Sequence, residues 1–169
     1  MAGGEMKAIA DIMPGEFVQG RWQVNQVRGI EKPMLGGRDM YLMNNTCFNT
    51  GDHPVWTEEG WQVVDKKAYV ANDWQAQFIL YDNYGGSWFE TYQPCLPEDM
   101  GALHVDHSML AVPGGAFEKL ESLEAKNYPP GTQLYALALT GDRTMFVDGY
   151  CFSGWADIDK FDYQARIGT

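Results

Sequence analysis

Two side chains able to act on a peptide bond lie three residues apart, at Thr50 and His53. Gly51 and Pro54 interrupt any helix here, so the chain is predicted to leave a strand and enter a tight turn. Such a turn directs a hydroxyl and an imidazole to one point, where the imidazole can protonate a departing amide nitrogen and the hydroxyl can hold the strained bond. The alternative is local: Thr50 caps the turn and His53 donates to a nearby carbonyl.

The composition predicts one globular domain that repels polyanions. The chain has 169 residues, of which 45% are hydrophobic and 14% aromatic, which suits one hydrophobic core and leaves little for a second domain. Its formal net charge is -11, from 23 acidic and 12 basic residues. We therefore expect it to bind neither nucleic acid nor anionic membranes. No apolar run approaches the roughly 18 residues of a membrane-spanning helix, and the first residues lack the pattern of a signal peptide.

The chain is predicted to be all-β. Its 19 glycines and 8 prolines, together with many aromatic residues, favour short strands joined by turns. Tyr135, Leu137 and Leu139 alternate with alanines, which is typical of a strand. Trp22 and Val24 alternate with polar residues in the same way, and this pattern predicts that they form the buried side of a half-buried strand.

Two segments are predicted to differ from short strands. Residues 116–127 are predicted to form one helix, because apolar residues recur there at helical spacing. Residues 83–97, rich in aromatics, glycine and proline, are predicted to form a long loop or an irregular hairpin. The aromatic side chains of that segment either fill the core or form a docking surface. Lys66 and Lys67 are predicted to lie in a solvated turn.

The sequence predicts neither a metal site nor another cofactor. On a strand, His104 and Asp106 share one face while His107 points to the other, so the three side chains do not converge. A zinc site needs three or four converging ligands. Three cysteines stand beside apolar residues without a Cys-x-x-Cys pair and are predicted to be buried free thiols: Cys47, Cys95 and Cys151.

Two blocks near the start of the chain resemble the Hint superfamily, the autoprocessing domains of inteins, hedgehog C-terminal regions and bacterial intein-like proteins. One family block reads Thr-x-x-His-Pro, then an apolar stretch and a glycine. The residues in those places here are Thr50, His53, Pro54, Val55, Gly60 and Trp61. An earlier block has a glycine, Ile-x-Asp-Ile, Pro-Gly-Asp and an apolar strand. It is matched by Gly4, Ile9, Asp11, Ile12, Pro14, Gly15 and Val18, with Glu16 in place of the aspartate.

The closing region is similar to the same family in its framework but not in its catalytic positions. The framework matches are Tyr135, Leu137, Phe146, Val147 and the turn at Asp148-Gly149. Ala136 stands where the family usually has Asp, Arg143 where a His is common, and Ser153-Gly154 where inteins have His-Asn. Without that Asn no carboxamide can attack its own backbone carbonyl, so splicing is excluded for this sequence.

The resemblance implies a single horseshoe-shaped, pseudo-two-fold Hint-like domain over residues 1–169. Its curved strands are short, its helix at 116–127 is inserted, and residues 84–127 form a family-divergent insertion. Thr50 and His53 are the implied catalytic residues. The implied accessory residues are Asp52, Arg143 and Cys151. Cys151 either takes an acyl group or is only a buried thiol.

The implied activity is cleavage of the peptide bond on the N-terminal side of the domain by an acyl shift. The nucleophilic Cys or Ser is expected about ten positions upstream of Met1, so the sequence as given is predicted to be inactive and at most capable of single-turnover self-cleavage. Its partner is then its own flanking polypeptide, in the cytoplasm or associated with a virion. The alternative is a catalytically silent Hint-derived structural or interaction module of a larger phage or bacterial protein.

Overall fold

The computed structural model describes residues 6–71, 77–84, 87–94 and 100–154. Across these residues, short β-strands are the dominant element and a single short α-helix occurs. The strands in the first half are β1 Phe17–Gln19, β2 Val24–Glu31, β3 Met40–Met43, β4 Cys47–Thr50, β5 Val55–Thr57, β6 Gly60–Val63, β7 Gln77–Tyr84 and β8 Ser87–Pro94. The later strands are β9 Gly101–Ala102, β10 Met109–Ala111, β11 Phe117–Lys119, β12 Leu123–Lys126, β13 Ala136–Leu139, β14 Thr144–Val147 and β15 Tyr150–Ser153. The helix is α1 Lys66–Ala71, and a 3-10 turn covers Ile9–Asp11.

The strands assemble into three packed sheets and one separate hairpin. The largest sheet runs β11-β10-β5-β15-β14, and β6 joins it by pairing with β5 and with β9. The two smaller sheets are β1-β2-β13 and β12-β3-β4. Among the described strands, β7 and β8 pair only with each other, in regular antiparallel register from Gln77 opposite Pro94 to Tyr84 opposite Ser87. The all-β prediction is confirmed.

One hydrophobic cluster joins the three sheets. It contains Val27 of β2, Met43 of β3, Leu137 of β13, and Val55 and Phe152 of the largest sheet, each at most 2% exposed. Burial of each such side chain contributes about 1.5–3 kcal/mol before the cost of chain ordering. This cluster fixes β4, β5 and β15 relative to one another, and these are the strands that flank the site described below.

The prediction of a helix over residues 116–127 is wrong. Strands β11 and β12 occupy that range, with Leu120 fully buried between them. The backbone N–H groups of Glu121 and Ser122 both donate to Asn44 Oδ1, which turns the chain between the two strands. The spacing of the apolar residues fits a helix as well as it fits two strands. The pairing of β11 with β10 and of β12 with β3 outweighs the weak local helix propensity.

The helix lies instead at Lys66–Ala71, where a solvated turn was expected. Asp65 caps it, because its Oδ1 accepts from the N–H groups of Lys67 at 2.9 Å and Ala68 at 3.2 Å. Tyr69 anchors the helix at 1% exposure.

The segment predicted as a loop or irregular hairpin, residues 83–97, is in part the regular β7–β8 hairpin. Across the described residues, no helix is long and apolar enough to cross a membrane.

Strand β2 exists as predicted, but the face assigned to its start is reversed. Trp22 is 45% and Val24 47% exposed, while Asn25 is fully buried. The buried side is set by Val27 together with Asn25, whose side chain donates to Asp142 and to the backbone carbonyl of Thr144. A buried hydrogen-bond network, and not the apolar pair Trp22 and Val24, therefore decides which face of the strand is buried.

Candidate functional site

His53 is held at the end of a turn that begins at Thr50. The turn closes where the His53 N–H donates to the Thr50 carbonyl at 3.2 Å. Gly51 is needed within it, because an added Cβ would lie 2.9 Å from the Tyr41 ring. The imidazole Nε2 lies 2.7 Å from the Ser153 carbonyl oxygen at the end of β15. A carbonyl can only accept, so Nε2 carries the proton and donates it.

A cavity of about 200 Å³ lies beside this turn. Thr50 and His53 both line it, together with Ile9 from the start of the described chain and Phe152 near its end. Thr50 is 7% exposed and His53 is half-buried. The described residues therefore bring the predicted pair to one cavity, which Ile9 and Phe152 also line.

The surroundings of His53 favour its neutral form. Burial lowers the pKa of the imidazole, and this outweighs the bond to the Ser153 carbonyl and the attraction of Asp52, which act in the opposite direction. The Arg38 charge adds a further lowering of the pKa. A neutral ring that donates through Nε2 carries no proton on Nδ1. His53 is thus suited to accept a proton at Nδ1 and, once charged, to release it readily.

This environment predicts a pH-dependent contribution to stability. The His53 pKa is lower in the folded chain than the ordinary value of about 6.5, so below that pH the unfolded chain binds more protons and stability falls. We expect the stability advantage of the wild type over His53→Gln to shrink between about pH 8 and about pH 5. Denaturant titrations at both pH values measure this difference. A difference that grows in acid would show that the histidine is favoured in its charged form when folded.

Asp52 supports the turn from a buried position. Its carboxylate is 1% exposed, and Oδ2 lies 3.5 Å from Arg38 Nη1. The same guanidinium donates to the carbonyls of Leu35 at 2.9 Å and Met34 at 2.7 Å. Asp52 therefore connects the loop before β3 to the turn that carries His53.

Arg143 and Cys151, predicted as accessory residues, are not among the described residues that line the cavity. The Arg143 carbonyl accepts from the Gly154 N–H at 2.7 Å, so its backbone fixes the end of β15. Cys151 is fully buried, as is Cys47, which agrees with the predicted buried thiols; Cys95 lies outside the described residues. Burial raises the pKa of Cys151 to about 12, which makes its thiol a poor nucleophile near neutral pH.

The histidine cluster at 104–107 forms a turn. The N–H of His107 donates to the His104 carbonyl at 3.1 Å, and both side chains are exposed. In the described ranges, no three His, Cys, Asp or Glu side chains are grouped as metal ligands.

The peptide bond between Ser153 and Gly154 is held at both of its polar groups. Its carbonyl accepts from His53, and its N–H donates to Arg143. A Cβ added to Gly154 would lie 2.7 Å from Leu139 Cδ1 and 3.0 Å from the Leu137 carbonyl. Gly154 is therefore packed closely against β13, which would have to shift to admit a side chain at this position.

The close contact between Gly154 and β13 predicts that a side chain at this position is destabilising. We expect Gly154→Asn to destabilise the fold by about 1–3 kcal/mol, because the new side chain must displace β13. Gly131→Asn is the matched control, since a Cβ at Gly131 meets nothing within 4 Å. Thermal melts of both variants measure the difference. Equal stability of the two variants would contradict the packing described for Gly154.

Asn49 is a residue of this site that the sequence reasoning missed. It lies beside Thr50 on β4, is 5% exposed and lines the same cavity. The signal that could have identified it is a polar residue two positions from Cys47, on a strand face where apolar residues are expected. The Thr-x-x-His motif begins at Thr50 and therefore does not include Asn49.

The described residues form short strands in three sheets, with the Thr50–His53 turn beside a shared cavity. Among solved structures, the chain is similar to the crystal structure of the gp41-1 intein, with a TM-score of 0.54 and 12% identity over 90% of each chain. A triply substituted variant of that intein is similar with a TM-score of 0.51 and 13% identity, over 90% of this chain and 91% of the other. No protein-family model and no curated protein matches the sequence. The Hint resemblance is confirmed at the level of the fold.

Proposed function

We propose that this chain is an intein-like autoprocessing domain that acts on the peptide bond N-terminal to it. The observation that carries the proposal is the shared cavity, in which Thr50 and His53 meet Ile9 and Phe152. The nucleophile is a Cys or Ser supplied by upstream residues outside the given sequence. The partner of the domain is accordingly its own flanking polypeptide.

The proposed reaction is an acyl shift from nitrogen to sulfur or oxygen. The upstream thiol or hydroxyl gives its proton to Nδ1 of neutral His53 and attacks the carbonyl carbon of the preceding peptide bond. A new C–S or C–O bond forms, the C–N bond breaks, and the departing amine takes the proton from the imidazolium. Because burial lowers the pKa of His53, the charged ring gives up its proton more readily in this last transfer than an exposed imidazolium would.

Thr50 has the role of a hydrogen-bond donor in this scheme. Thr50 lines the cavity, and a hydroxyl is suited to donate to the carbonyl oxygen on which negative charge develops. The reaction stops at the thioester or ester, because Gly154 has no carboxamide to cleave the C-terminal junction.

The experiment is a fusion in which a reporter protein, a Cys and a spacer of about ten residues precede Met1. We expect dithiothreitol to release the reporter, with Ala in place of that Cys as the matched control. Release from the Cys fusion alone supports autoprocessing. No release from the Cys fusion would favour the silent structural or interaction module, which the departures at Ala136, Arg143 and Gly154 also favour.

A substitution at Thr50 tests the proposed donor role in this fusion. We expect Thr50→Val to slow release roughly tenfold to a hundredfold, because the hydroxyl is lost while the side-chain shape is retained. Thr50→Ser keeps the hydroxyl and is expected to retain most of the rate. The release rate under dithiothreitol, followed by gel electrophoresis, measures both. Equal rates for the valine and serine variants would remove Thr50 from the mechanism.

A further inference from the structure

One side of the cavity is fixed by the loop before β3. Residues 133–135 form part of the cavity wall. Two backbone hydrogen bonds hold that segment to the loop: the Leu134 N–H donates to the Pro33 carbonyl at 2.7 Å, and the Leu35 N–H donates to the Thr132 carbonyl at 2.8 Å. The position of this wall therefore depends on the loop.

The side chain of Arg38 connects the same loop to the turn that carries His53. Its guanidinium donates to the carbonyls of Leu35 and Met34, and Nη1 lies 3.5 Å from Oδ2 of Asp52. The Asp52 side chain is 1% and the Arg38 side chain 23% exposed. A planar guanidinium can bond several acceptors at fixed angles, which an ammonium group cannot do. One side chain thus links the turn to the segment that holds the opposite wall.

The charges of this ion pair act on His53 in opposite directions. Burial is the main cause that lowers the His53 pKa; the Asp52 carboxylate raises this pKa and the Arg38 charge lowers it. Tyr135 is a further titratable residue in the cavity wall, and Glu31 is a second carboxylate on which the Arg38 charge acts. Loss of the guanidinium would remove one positive charge near the imidazole and leave Asp52 without this counter-charge. Both changes favour the imidazolium form.

We propose that Arg38 is a positioning residue of the site, which holds the Asp52–His53 turn against the opposite wall of the cavity and balances the charge of Asp52. Arg38 is not among the described residues that line the cavity, so it acts through Asp52 and not on a bound peptide. The proposal rests on the proposed function only for the role of His53 in proton transfer.

The first test uses the chain as it is, without a reporter. In an NMR titration of the His53 imidazole, we expect Arg38→Gln to raise the His53 pKa relative to the wild type. Arg38→Lys keeps the positive charge and is expected to remain closer to the wild type. Arg28→Gln, a substitution of an exposed arginine on β2, is the matched control and is expected to change nothing. An unchanged His53 pKa in a folded Arg38→Gln chain would overturn the proposal.

A second pair of variants covers the case in which Arg38→Gln does not fold because Asp52 is left buried without its counter-charge. Asp52→Asn removes that charge, and Arg38→Gln is then added to it. We expect the double variant to have a higher His53 pKa than Asp52→Asn alone, since the positive charge is still lost. Equal pKa values in these two chains would overturn the proposal.

The pH profile of reporter release separates positioning of His53 from a general effect on the fold. We expect Arg38→Gln to slow release about threefold to tenfold at about pH 6 and less at about pH 8.5, because less of the imidazole is neutral in acid. The same slowing at both pH values would indicate a structural role only and would overturn the proposal.

The two proposals can fail separately. If the wild-type fusion is not cleaved while the His53 pKa still depends on Arg38, the proposed function fails and the link through Arg38 stands. If the fusion is cleaved and the His53 pKa does not depend on Arg38, the reaction stands without this residue.

Discussion

Replacement of Asp142 with alanine is expected to lower the free energy of unfolding by about 3–5 kcal/mol, because several buried donors would lose their acceptor. The carboxylate is 3% exposed. It accepts from the Trp22 N–H at 2.8 Å, from the Thr144 N–H at 3.0 Å and from the Thr144 hydroxyl at 2.9 Å. The Asn25 side chain donates to the same group.

Denaturant unfolding measures this effect against Asp39→Ala, a substitution of an exposed aspartate that is expected to change stability by less than about 0.5 kcal/mol. Similar losses of unfolding free energy in the two variants would contradict the hydrogen-bond network around Asp142.

The network around Asp142 also supports the site. Arg143 lies between Asp142 and Thr144, and its carbonyl accepts from the Gly154 N–H. Loosening it is expected to release the Ser153 carbonyl from His53.

Replacement of His53 with alanine in the reporter fusion is expected to slow thiol-induced release by about a hundredfold to ten-thousandfold. This is the usual contribution of a positioned acid and base, and the imidazole ring is held in edge contact with Phe152 at a centroid distance of 5.1 Å. His53→Gln is expected to be as slow, because glutamine can donate to the Ser153 carbonyl but cannot carry a proton between groups.

The control for His53 is His107→Ala, since His107 is an exposed histidine that does not line the cavity. It is expected to leave the release rate unchanged. Release kinetics of the three variants are followed by gel densitometry, with circular dichroism to establish that each is folded. An unchanged rate in a folded His53→Ala fusion would remove the imidazole from the reaction.

The sequence predicted the features that depend on local backbone chemistry. Gly51 and Pro54 indicated a turn, and the turn is where the structure places His53. Alternating apolar residues over Leu137 and Leu139 indicated a strand, which is β13. The resemblance linked these segments to a known fold, and the similarity to the gp41-1 intein bears this out for the fold.

The features that the sequence did not predict depend on distant partners. Leu120 has helical spacing with its apolar neighbours, but its neighbouring strands pair with β10 and β3, which lie elsewhere in the chain. Asn25 was expected on the polar side of β2, yet it is buried because Asp142, 117 residues away, accepts from it. The polar residue Asn49 stands out on its strand face, but its place beside the cavity follows only from the packing of several strands.

The measurement that tests the central claim most directly is the mass of the reporter released from the Cys fusion by hydroxylamine. If the domain converts the upstream peptide bond to a thioester, the reporter carries a C-terminal hydroxamate in the wild-type fusion, and His53→Ala yields almost none. A reporter that ends in a free carboxylate, or equal release from the His53→Ala fusion, would contradict an acyl shift at this site.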